Sequence, residues 1–236
     1  MSSVVPAKRF YKSVTLGEGD GGWKVLLDAR PLKTPGGRPL TIASRLLAEA
    51  IASEWDAQGE KIRPESMPTF RLLATGIDRV ADRRDDVISA TLKYAETDLL
   101  CYRADAPQDL VDLQSRRWQP ILDWIREDLG AELKVTAGIL PIDQSPEVFV
   151  ALRSAVAKFD DLALTALSSL AGVTGSLALA LAMAHARIDA EEGGALALLD
   201  EQFQADNWGE DEEARERRDR TRTEIAETIR FLNLMG

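Results

Sequence analysis

The sequence predicts an α+β protein, mostly α, with a small β-containing N-terminal domain ahead of a larger helical one. Three observations carry this: Gly- and Pro-rich punctuation confined to the first forty residues, a switch to helical periodicity near Ser44, and apolar stripes at that period over most of the remaining chain. With 236 residues, 45% of them apolar, the chain can bury a core without disulfides or metals.

"RFYKSVTL" and "WKVLLD" read as strands, and "GEGDGG" between them reads as a hairpin loop. The same loop matches the phosphate-binding pattern G-x-G-x-x-G at Gly17, Gly19 and Gly22. That motif, however, must open a helix, and here a strand comes next, with Glu18 and Asp20 set to repel an anion. "ARPLKTPGGRPLTI" then suits short, bent strands, because Pro removes a backbone donor and Gly admits positive φ.

Leu47, Ile51 and Trp55 recur every fourth residue after a Ser cap, with Gly59 as a stop signal. Phe70, Leu73, Ile77 and Val80 predict a second helix, locally weakened by Gly76, and Val87, Thr91, Ala95 and Leu99 a third. Leu110 to Leu129 predict one helix kinked at Pro120 or two that meet there. Ser145-Pro146-Glu147 is a helix start, with Phe149, Leu152, Val156 and Phe159 along one face. The division is expected at 67/68, giving domains 1–67 and 68–236.

Residues 162–184 carry no formal charge and are long enough to span a bilayer. "AGVTGS" interrupts them: Gly172 can cap one helix and Thr174 or Ser176 can start the next, so a buried helical hairpin is expected rather than a membrane protein. "MSSVVPAKRFYKS" lacks the apolar core of a signal peptide, and Cys101 is the single cysteine; both predict a cytoplasmic, bacterial-type location.

The net charge is −10, and residues 160–214 alone hold twelve acids against Arg187, which argues against direct nucleic-acid binding. Walker A, H-E-x-x-H, C-x-x-C and G-x-S-x-G patterns are missing, and the lone His185 sits at the end of an apolar run without a nominated nucleophile. No enzyme, cofactor or metal site is therefore expected. "DEQFQADNWGEDEEA", residues 200–214, packs seven carboxylates with Phe203 and Trp208. Its spacing does not supply an EF-hand, and unpaired acids on an exposed segment lack the divergent environments of a catalytic pair. Two readings remain open: a solvated helix face with Trp208 covering the core, or an acidic interface anchored by Trp208. The last segment, from Glu210, puts acids before arginines in helix-dipole order, and only Ile225, Ile229 and Leu232 form a docking stripe.

Taken in order, "RFYKSV", "GGWKVLLDARPLKTPGGRPL", "LAEAIASEWDAQGEKIRPESMP", "IDRV", "ETDLLCYRAD", "WQPILDWIREDLGAEL", "GSLALALA" and "LDEQFQADNWGEDEEA" resemble the blocks of the ATP-twelve family, assembly chaperones for the α subunit of F-type ATP synthase. The resemblance spans nearly the whole chain. It implies a non-enzymatic protein that binds the unassembled α subunit, shields its β-facing surface and is displaced by the β subunit. It also implies that Glu212, four residues after Trp208, matches a glutamate of the family's W-G-x-x-E block. Partner contacts are expected at Glu212, Trp208, Glu201 and Asp211, and a domain-packing role at Trp55. The rival reading is a general adaptor or holdase without preference for the α subunit.

Overall fold

The structure, a computed structural model, describes residues 7–138 and 141–236. The first six residues of the stretch read for a signal peptide lie outside it. The described residues form two compact units that divide between Asp82 and Arg83, with Arg230–Gly236 returning to the first.

In the first unit, β1 (Val14–Gly19), β2 (Gly22–Leu27) and β3 (Arg30–Pro31) form an antiparallel sheet in sequence order. The Gly-rich motif is the β1–β2 hairpin, with Gly19 paired to Gly22. A side chain at Gly22 would come within 2.5 Å of the Ile42 carbonyl, so this glycine is fixed by close backbone approach and not by a phosphate. Asp28 and Ala29, at φ 47° and 66°, make the left-handed two-residue turn into β3. The Asp28 carboxylate accepts from Ser13 N (2.9 Å) and Lys12 N (3.0 Å), which hold its pKa below the usual range.

Helix α1 (Arg45–Asp56) starts at Ser44, whose hydroxyl accepts from Leu47 N, and buries Leu47, Ala48, Ile51 and Trp55 against β1 and β2. Glu54 reaches across to accept from Thr69 N (2.8 Å) and Phe70 N (2.9 Å), capping α2 (Pro68–Thr75) from another helix. At Gly76 the helix loosens into a single π turn, Gly76–Val80, where the sequence pattern continues as ordinary helix.

The division falls at 82/83 rather than at the expected 67/68, and hydrogen bonds explain it. Asp78 accepts from Thr34 Oγ1 (2.6 Å) and Gly36 N (2.7 Å), while Arg38 donates to the Ile77 carbonyl (2.6 Å) and pairs with Asp82. "KTPGGR" is thus tied to "IDRV". Trp55 sits inside this unit, its ring 5.1 Å from Phe70 and 5.7 Å from Tyr11, whose hydroxyl donates to the Trp55 carbonyl (2.6 Å). Its ring partners therefore both belong to the same unit as Trp55, since α2 falls on the N-terminal side of the division.

The second unit contains α3 (Arg84–Leu92), α4 (Gln108–Leu129), α5 (Pro146–Val156), α6 (Asp161–Thr174), α7 (Leu177–Ala184), α8 (Ala190–Ala197), α9 (Leu199–Trp208) and most of α10 (Glu212–Met235). A two-residue parallel pair, β4 (Tyr102–Arg103) and β5 (Thr136–Ala137), is added. Leu99 leaves the third helical stripe for a separate 3-10 turn, Leu99–Cys101. Pro120 lies inside one continuous α4, so the single-helix alternative holds.

The uncharged stretch is a hairpin of α6 on α7, and among the described residues no helix is long and apolar enough to cross a membrane. The cap is Gly175, left-handed at φ 65°, not Gly172, which lies within α6 beneath the Tyr94 hydroxyl. Ser176 starts α7, accepting from Leu179 N at 2.9 Å. Every residue from Leu177 to Met183 is buried, as a helix apolar all round requires.

That helix is anchored by a buried carboxyl group. Asp98, fully buried, accepts from Ser176 Oγ (2.7 Å), Ala178 N (2.9 Å) and its own turn's Leu100 N (3.1 Å). Burial outweighs these hydrogen bonds and raises its pKa to about 6. The "ETDLLCYRAD" and "GSLALALA" blocks thus meet at one carboxylate. Neighbouring Cys101 is also buried, its thiol pushed up to about 12 by desolvation, which makes it inert.

Candidate partner-binding surface

Two helices, α9 and α10, build the acidic segment, and α4 holds it in place. Trp118 of α4 donates its indole N–H to the Leu196 carbonyl at the end of α8 (3.0 Å). Buried Gln114 accepts from Ala104 N (2.8 Å) and donates to Asp200 at the start of α9 (2.7 Å). Burial raises the pKa of Asp200, partly offset by that amide.

Helix α9 ends at Trp208, and Gly209 comes next at φ 81° and ψ 169°, a backbone region open essentially to glycine alone. The chain can therefore turn at once into α10. Asp211 accepts from Ala214 N at 2.7 Å in the manner of a helix N-cap. Glu212 and Glu213 then occupy the first turn, where the helix dipole favours acids.

The acids are not left to repel one another. Arginines of α10 meet several of them: Arg217 Nη2 lies 3.0 Å from Glu201, Arg215 3.4 Å from Glu212, and Arg218 pairs with Glu210. Counting acids to residue 214 separates them from the arginines that face them. The regional negative charge is accordingly smaller at the surface than the linear count implies.

Of the four expected contact residues, Trp208, Asp211 and Glu212 lie at the α9–α10 turn, whereas Glu201 lies in the first turn of α9, and their circumstances differ. Trp208 is 71% exposed, with its ring 6.3 Å from Phe203, so it does not cover the core. Glu212 is exposed and only loosely paired. Glu201 is half-buried against Arg217, and Asp211 serves the helix cap. A shallow cleft of about 150 Å³ lies between the helices, lined by Glu201, Gly209, Glu210, Asp211, Arg217 and Arg218. The segment combines one exposed aromatic anchor with partly compensated acids, an arrangement suited to contact with a protein.

Arg218 is the residue that sequence reasoning missed. It is 4% exposed, although it belongs to the charged run. The expected apolar stripe begins at Ile225, yet Arg218 stands seven residues earlier on the same buried face. Extending the helical period backwards through charged residues would have found it.

Other chemistry-bearing residues lie elsewhere. His185 has its ring 5.6 Å from Trp124 and 5.4 Å from Phe159, and burial with nearby Lys158 lowers its pKa. Among the described residues no group of three or more His, Cys, Asp or Glu is placed to hold a metal.

Comparison with known proteins gives a consistent answer. Residues 8–126 match the family described as ATP12 chaperone protein. The chain is 25% identical over 221 residues to the mitochondrial protein atp12 of Schizosaccharomyces pombe, covering 89% of this chain and 76% of that one. It superposes on the crystal structure of Atp12 from Paracoccus denitrificans with a TM-score of 0.90 and 44% identity, over 98% of this chain and 99% of that one. The Atu1473 protein of Agrobacterium tumefaciens is similar at 42% identity and a TM-score of 0.90, over 97% of this chain and 86% of that one. The family match stops short of the acidic segment, but both structural matches span nearly the whole chain. On sequence and fold together, the chain belongs to the ATP12 chaperone protein family.

Proposed function

We propose that the protein is an assembly chaperone for ATP synthase that binds the unassembled α subunit, shields its β-facing interface and releases it when the β subunit arrives. Family membership supports the chaperone role, and the block resemblance supplies the partner. The observation that carries the reading is Trp208, a large ring left exposed at the tip of α9, four residues before Glu212 in the first turn of α10.

A subunit awaiting its partner exposes apolar surface that invites aggregation, and its chaperone must cover that surface reversibly. Trp208 supplies an apolar anchor. The acids around it supply steering toward basic residues of the client. Exposed ion pairs contribute little to stability, so Glu212 can exchange Arg215 for a cation of the client at small cost. Glu201 and Asp211 complete the proposed contact surface.

Co-expression with the α subunit, followed by size-exclusion of the soluble fraction, tests this. A discrete complex that keeps α soluble, and that weakens with Glu212→Lys, is expected. If α gains no solubility and never co-elutes, the assignment fails; if unrelated unfolded proteins are held equally well, the protein is a general holdase instead.

A further inference from the structure

Of all the charged side chains in α10, one is buried. Arg218 reaches back to the Glu201 carbonyl on α9 (3.3 Å) and to the Glu210 carboxylate on the turn between the helices. A guanidinium is rarely buried unless its position matters, because removing it from water is costly even when paired. Its Nε has no hydrogen-bond partner, so the site is not optimised for stability alone.

What Arg218 touches is informative. Glu210 lies between Gly209, whose conformation only glycine adopts readily, and Asp211, which begins α10. Two residues therefore fix where Trp208 stands relative to Glu212: a glycine that permits the turn and an arginine that ties it down. A planar guanidinium can hold a carbonyl and a carboxylate at once, in fixed relative directions, as a lysine cannot.

We propose that Arg218 is the positioning residue of the partner surface, holding the 208–212 turn in the shape that presents Trp208 and Glu212 together. This rests on the proposed function, in which the surface binds a partner, but the hold on the turn is measurable without one. Arg218 acts from behind the surface and touches the client nowhere. Loss of the tie leaves α9 and α10 intact and frees the turn, so binding then has to order it first.

The test uses Glu210→Gln, which removes the charge on the turn without emptying the buried site, beside Arg218→Gln and Arg218→Lys. Hydrogen exchange of residues 209–215 is measured on the free protein and affinity on the complex with the α subunit. Faster exchange confined to those residues is expected in Glu210→Gln and Arg218→Gln, by about tenfold. A fall in affinity of about tenfold should accompany it, with partial recovery in Arg218→Lys, whose retained charge still pairs with Glu210. Unchanged exchange in Glu210→Gln with normal folding overturns the proposal and leaves the proposed function standing. Faster exchange with unchanged affinity also overturns it, since the turn then matters to no partner. If the wild-type protein does not bind the α subunit, the proposed function falls, and exchange alone decides whether Arg218 holds the turn.

Discussion

Two neighbouring stretches of the second unit use acidic groups in opposite ways. Against the α6–α7 hairpin a single buried carboxylate, Asp98 of the preceding 3-10 turn, sits among donors and anchors a helix with no polar face. Along α9 and α10 many carboxylates stay at the surface, several of them met by an arginine, an amide or a helix N-terminus, and the largest apolar side chain there is left in solvent. One region uses the hydrogen bonds of its buried carboxyl group for rigidity. The other keeps its charge and its tryptophan available, as the surface proposed for the partner requires.

This contrast can be broken most severely at Asp98. Asp98→Ala leaves Ser176 Oγ, Ala178 N and Leu100 N without their acceptor in a dry site. A loss of roughly 3–5 kcal/mol is expected in urea unfolding. A loss below about 1 kcal/mol would mean that α7 does not depend on this anchor.

The pH dependence sharpens the same point. The Asp98 pKa is about 6 in the folded protein, above its unfolded value, so the folded state holds the extra proton between those values. Its contribution is therefore fully present below about pH 4 and is lost as pH rises through about 6. Relative to Asp98→Asn, which cannot titrate, wild-type stability should fall over that window by on the order of 2–3 kcal/mol. A difference that is flat or rises with pH would contradict the burial argument.

Smaller effects are expected at the surface. Asp211→Ala removes the acceptor for Ala214 N and should lower stability by about 1 kcal/mol. Trp208→Ala should change it by no more than about 0.5 kcal/mol, because an exposed ring contributes little packing. A large loss at Trp208 would show that the ring belongs to the fold after all.

The helical period made the core helices legible, since Leu47, Ile51, Leu152 and Val156 are all buried where the stripes placed them. Ser44 and Ser176 were legible as caps, because capping is a local rule. Glu54 and Asp98 were not. Each caps a helix distant in sequence, and nothing local marks a carboxylate whose donors lie fifteen to eighty residues away. The unit boundary was missed for a related reason, since Asp78 is bound to Thr34 and Gly36 through side-chain hydrogen bonds that no periodicity reports. At the acidic segment the sequence showed which residues are present but not their partners. The arginines that compensate them lie one turn of chain further on, and the burial of Arg218 becomes visible only when α10 is traced along a single face.

The most direct test of the contrast is the affinity of purified ATP synthase α subunit for Trp208→Ala, measured by titration beside the wild type. The account predicts a loss of about thirtyfold or more with an unchanged unfolding midpoint, as for an interface anchor that the fold does not need. Equal affinity for the two proteins would contradict it and move the partner surface away from the tip of α9.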